Sequence, residues 1–158
     1  MVPRYRITTD WIQKEMKGYI IDARDKPGLL VAFMKEFAGN ARISFEGDLG
    51  KCDFSSIPGL ASEPDGAFQR NTIVPRQDYI ILPLSQETVT PILHQVLPEG
   101  RCVHDIIHIE IEQHGELVFS ACDNFHAECV WAPLKAGALL QRLEENQVVR
   151  SFGMWPEN

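Results

Sequence analysis

Between Tyr19 and Glu46 the spacing of apolar positions changes period twice. Tyr19 to Ala23 reads as a strand. Leu30, Phe33, Met34 and Phe37 then recur at steps of three and four, which puts them on one face of a helix. Pro27 sits where a first helical turn tolerates it, and Gly39-Asn40 ends the helix. Ala41 to Glu46 returns as a strand, completing a strand, helix, strand unit. Before it, Thr9 and Asp10 are suited to cap a short helix over residues 9–17 that stops at Gly18.

Over residues 47–76 no period is sustained, and glycine, proline and serine cluster in GDLGKCDFSSIPGLASEPDG. A segment this long is a loop or excursion of the kind that covers a site or meets a partner, with Phe54, Ile57, Leu60 and Phe68 as its anchors. From Asp78 the pattern sharpens. DYIILPL is a strand, followed by a helix that starts at Ser85 or, because Pro91 disrupts a helix interior, near Pro91. VHDIIHIEIEQ and ELVFSACD flank a His114-Gly115 turn as a hairpin. Residues 133–145 place Leu139, Leu140 and Leu143 on a helical face, and VVRSF closes as a strand. The expected class is α+β, with a mixed, mostly antiparallel sheet and helices on one face. The order is ferredoxin-like (βαββαβ) in residues 78–152, preceded by a βαβ-type unit. Residues 1–158 read as a single domain, with 47–76 as its excursion.

Composition narrows the partners. The 158 residues are 44% hydrophobic, enough for a real core, and no apolar run approaches the ~18 residues of a membrane span. The net charge of −7, from 15 Lys plus Arg against 22 Asp plus Glu, comes without a basic stripe. Nucleic acid is therefore excluded, and encounter with a basic protein is favoured. The opening MVPRYRITTDW lacks the apolar core of a secretory signal, so cytoplasmic residence is expected, with Cys52, Cys102, Cys122 and Cys129 reduced.

The densest chemistry is CDNFHAEC, residues 122–129. A regular hairpin about His114-Gly115 opposes Ile111 to Val118, Ile109 to Ser120 and Ile107 to Cys122, which puts the Cys122 thiol with the isoleucines and His108 on the other side. His104 and His108 share a strand face, but at about 13 Å they are too far apart to hold one ion together. Asp123, His126 and Cys129, with Cys102, are the alternative reactive or metal-binding group, although no paired Cys-x-x-Cys or His-x-x-x-His spacing supports zinc. A Cys129 thiolate with His126 as base is the corresponding nucleophile. Glu110 and Glu112 share a strand face and read as solvated.

The run Asp25-Lys26-Pro27-Gly28-Leu29-Leu30, within residues 19–49, resembles the opening of an ACT domain. The resemblance implies that the turn binds a small amino-acid-like effector, with Asp25, Gly28 and Leu29 as the ligand-binding positions. The reading from charge and exclusion is a non-catalytic cytosolic binding module acting through an acidic protein surface, of the kind found in an inhibitor or immunity-type protein, with no cofactor. The alternatives are the ACT-like regulatory domain and a thiol- or metal-dependent enzyme using His126 and Cys129.

Overall fold

The structure, a computed structural model, describes residues 17–59, 61–72, 76–101 and 104–155. Residues 9–16 of the expected opening helix, together with Leu60 and Cys102, lie outside them. The elements are β1 (Gly18–Ala23), α1 (Lys26–Phe37), β2 (Ala41–Gly47), β3 (Asp78–Leu84), α2 (Val89–Val96), β4 (Ile106–Gln113), β5 (Glu116–Ala121), β6 (Val130–Pro133), α3 (Gly137–Glu145) and β7 (Val149–Trp155). The fold is α+β.

Helix α1 begins where its sequence places the start. Asp25 is extended and its carboxylate accepts from the Gly28 amide at 2.9 Å, with Pro27 in the first turn. Helix α2 starts between the two expected points. Thr88 caps no amide there, but its hydroxyl accepts from the Ser85 amide and donates to the Pro83 carbonyl at 2.6 Å, so that Pro91 falls in the first turn.

The seven strands form one sheet in the order β3-β2-β4-β5-β6-β1-β7, with every neighbouring pair antiparallel. This corrects the expected mixed sheet and the ferredoxin-like order over 78–152. Strand β6, four residues ending in proline, is too short to show a period, and it separates β5 from α3. Crossovers through α2 and α3 also return the chain parallel to β3 and β6, leaving one-strand gaps that β2 and β1 fill.

The three helices among the described residues pack on one face of the sheet. Leu29, Leu30, Phe33, Met34 and Phe37 of α1, with Ile92 of α2 and Leu140 of α3, meet Ile43, Phe45, Leu82, Ile109, Ile111, Phe119, Val130 and Ala132 in one core. Phe33 is central: its ring lies 4.6 Å from that of Phe119 and 5.9 Å from that of Phe37. No helix among the described residues is long and apolar enough to cross a membrane.

The β4–β5 hairpin turns at His114 (φ 53°) and Gly115 (φ 80°), the left-handed pair that a two-residue turn requires. The register is regular only at the turn, where Gln113 faces Glu116. Ile111 then faces Phe119 while Glu112 faces Leu117, so Val118 is an extra residue on β5.

Phe33→Ala is expected to destabilise the fold by about 3–5 kcal/mol in urea unfolding, and Leu134→Ala, at an exposed side chain, by under ~0.5 kcal/mol. Comparable losses would contradict the assignment of the core.

Candidate functional site

The sheet face turned away from the helices is polar, yet it is not solvated. Alternation along β2 and β4 sets Arg42, Ser44 and Glu46 beside His108, Glu110 and Glu112. Glu46, Glu110 and Glu112 are only 1%, 2% and 6% exposed, which overturns the reading of Glu110 and Glu112 as a solvated pair.

The cover is the second half of the excursion. Ala61 forms a bridge with Ile81 on the outer edge of β3, and Phe68 packs on Tyr79 and Ile81. The chain then crosses the polar face and its amides donate in sequence to the three carboxylates. Ala67 N–H reaches Glu112 Oε2 at 3.0 Å, Gln69 N–H reaches Glu110 Oε1 at 3.3 Å, and Asn71 and Thr72 N–H reach the two oxygens of Glu46 at 2.8 and 2.9 Å. Ala67 and Gln69, two residues apart, thus match Glu112 and Glu110, two residues apart on β4, before the strap passes to Glu46 on β2. The Thr72 hydroxyl also donates to Glu46.

Arg42 ties the strap from the sheet side. Its guanidinium binds both oxygens of Glu112 at 3.0 and 3.1 Å, pairs with Asp65 and lies 5.1 Å over the ring of Phe68. Gly66 (φ +60°) passes so close that a Cβ would meet Glu112 Oε2 at 2.8 Å and Arg42 Nη2 at 2.9 Å. Arg70 stacks over Tyr79 with its carbon 5.0 Å from the ring centre.

Burial sets the protonation of this face. Desolvation pushes the Glu110 carboxyl up to about 8, with Glu46 adding to the rise and the Gln69 amide opposing it. Desolvation also drives His108 down to about 4. His108 Nδ1 accepts from the Asp123 amide at 3.1 Å, so the neutral ring carries its proton on Nε2. That Nε2, Glu110 Oε2, the Tyr79 hydroxyl and Asn71 Oδ1 are buried with no hydrogen-bond partner among the described residues.

The Val118 bulge relocates the thiol as well. Ala121 rather than Ser120 faces Ile109, so Cys122 continues the side of Ser120 and Glu110 instead of joining the isoleucines. Beyond β5 and β6 the Cys122 amide donates to the Cys129 carbonyl at 3.1 Å. Between the cysteines the chain turns through left-handed Asp123, Asn124 and Phe125 (φ 51°, 57° and 63°). The loop is anchored by the Asn124 amide on Ile107 O at 3.0 Å, by Lys26 Nζ on Asn124 O at 3.2 Å and by buried Phe125 against Phe119. His126 Nδ1 accepts from the Glu128 amide, and Asp123 is exposed.

The two groups singled out from sequence therefore meet at one end of the sheet, where Lys26, Leu30, His104, Ile106, Ile109, Asn124 and Phe125 line a cleft of about 130 Å³. His104 precedes β4 and does not share a strand face with His108. Asp25 is engaged as the helix cap, Leu29 is fully buried, and a Cβ on Gly28 would overlap the Asp25 carboxylate. Among the described residues, no group of three or more His, Cys, Asp or Glu side chains is placed to hold a metal ion. No protein-family model, characterised protein or solved structure matches the chain, so the ACT resemblance rests on residues 25–30.

Raising the folded pKa of Glu110 means that between the ordinary glutamate value and about 8 the native state binds more protons than the unfolded one. Stability from this group is complete at low pH and is lost as pH rises to 8. His108 acts in the opposite sense, favouring the fold as pH rises from about 4 to its ordinary value, and is silent above it. Urea unfolding should therefore weaken between pH 6.5 and 8 with a slope approaching ~1.4 kcal/mol per pH unit, and Glu110→Gln should flatten that slope. Identical slopes in the two proteins would refute the protonated Glu110.

Proposed function

We propose that the chain is a non-catalytic binding module that presents its excursion as a preformed recognition surface to a basic protein, in the manner of an inhibitor or immunity-type protein. The observation that carries this reading is the lacing of Ala67, Gln69, Asn71 and Thr72 by three buried glutamate carboxyl groups. Taking carboxylates out of water costs several kcal/mol each, and a loop needing only to connect β2 with β3 could leave its amides to solvent at no such cost. Holding the strap in one shape moves the ordering entropy from binding to folding, which favours a tight complex.

The outward side of the excursion supports the polarity of the partner. Asp48 and Asp53 are exposed along it, as are Glu63, which pairs with Arg70 and Arg76, and Asp65, which pairs with Arg42, on a chain whose net charge is −7. Such a field speeds encounter with a basic surface. Asp48 and Asp53 also accept from the Gly50 and Ser55 amides at 3.0 Å each, which fixes the first half of the excursion while leaving their charge outside.

Two measurements test the proposal. Hydrogen exchange at Gln69, Asn71 and Thr72 is expected to be as slow as in β2 and β4, and exchange at solvent-loop rates would remove the preformed surface. Replacing Asp48 and Asp53 by Asn, Glu63 by Gln and Asp65 by Asn keeps the hydrogen-bond acceptors and removes four charges. Association with a basic protein captured by the unaltered chain should slow about tenfold at low salt and lose most of its salt dependence. Unchanged rates at low and high salt would refute the electrostatic part.

A further inference from the structure

We propose that Cys122 and Cys129 form a thiol–disulfide exchange pair, with Cys129 as the attacking sulfur, Cys122 as the resolving sulfur, and the disulfide of a small thiol as co-reactant.

The placement comes from the sheet. Ser120 faces Trp131 and Ala121 faces Val130, so the next opposed pair in the same register is Cys122 and Cys129. The Cys122 amide keeps this pairing with its 3.1 Å bond to the Cys129 carbonyl, and the Cys122 Sγ lies 3.4 Å from the same oxygen. Opposed antiparallel residues have α-carbons about 4.5–5.5 Å apart, inside the ~4.4–6.8 Å span of a disulfide. Both thiols are free.

Their environments divide the roles. Cys129 is half-buried beside exposed His126, Ala127 and Glu128, whereas Cys122 is 2% exposed. The hydrogen bond from the Cys122 thiol pulls Cys129 down to about 7, with His126 adding to the fall and burial, Asp123 and Glu128 opposing it. The same hydrogen bond and burial push Cys122 up, so the proton of the pair rests on the inner sulfur. An attacking thiol is most effective when its ionisation lies near the ambient pH. The left-handed run Asp123-Asn124-Phe125 carries backbone strain that the anchored loop sustains, which holds the sulfurs opposed without a covalent link.

The chemistry balances in two displacements. The Cys129 thiolate attacks one sulfur of R–S–S–R, forming Cys129–S–S–R and releasing RS⁻. Cys122, on losing its proton to solvent, attacks the Cys129 sulfur, forms the Cys122–Cys129 disulfide and releases the second RS⁻. The protein dithiol is oxidised by two electrons and the small disulfide is reduced to two thiols.

Hydroxyethyl disulfide is a suitable probe because it is neutral beside Asp123 and Glu128. Peptide mapping after acid quench should find the Cys122–Cys129 disulfide in the unaltered chain, and an accumulating Cys129 adduct in Cys122→Ser. On the unaltered, reduced chain at pH 7, iodoacetamide should label Cys129 at least ~10 times faster than Cys52, whose thiol is pushed up by burial and by Asp105 and Asp48. Free Cys122 and Cys129 after exposure to the probe, or equal labelling of Cys129 and Cys52, would overturn the assignment.

Discussion

A carboxyl group held out of water must be given hydrogen-bond partners, and on this sheet three of them are placed where neither the helices nor solvent can supply any. Glu46, Glu110 and Glu112 point away from the apolar core, and the backbone amides of residues 67–72 are their partners. The dependence runs in both directions. Without the strap the acids would return to water, and without the acids the strap's inward amides would be unpaired under a cover of Phe68 and Arg42. The excursion is in this sense an additional layer of the fold, bonded by its backbone rather than by a hydrophobic face.

The two faces of the sheet divide the work. The helix side holds nearly all the large apolar side chains and supplies the driving force for folding. The strap side contributes shape: its hydrogen bonds are directional and its two guanidinium–aromatic contacts fix the chain along its length. That division frees the outer surface of the excursion to carry exposed acids, since nothing on that side is needed for the core. It also leaves Glu110 and His108 uncharged beneath the strap at neutral pH, which limits the charge that the buried layer must neutralise.

One extra residue decides the geometry of the thiol loop. With Val118 accommodated as a bulge, Cys122 moves to the side of Glu110 and into register with Cys129. With a regular hairpin the same thiol would face the isoleucine core and the two sulfurs would be separated by the sheet. Strand β6 is equally necessary, because it is the element that brings Cys129 back alongside β5.

The amino-acid sequence by itself determined the elements whose signals are local. The three- and four-residue steps of Leu30, Phe33, Met34 and Phe37, the Asp25 cap with Pro27, the His114-Gly115 turn and the apolar alternation of DYIILPL and IIHIEIEQ each act within a few residues, and each lies where those patterns place it. Phe54, Ile57 and Phe68 also announced that the excursion packs, and all three are buried. Only the tertiary structure decided the strand order, the burial of the acids and the pairing of the cysteines. A four-residue strand has no readable period, and a bulge leaves no compositional mark. Whether an alternating glutamate meets water or a backbone amide depends on a segment some 40 residues away, as the Ala67–Glu112 and Gln69–Glu110 bonds show, and that dependence is invisible to any local pattern.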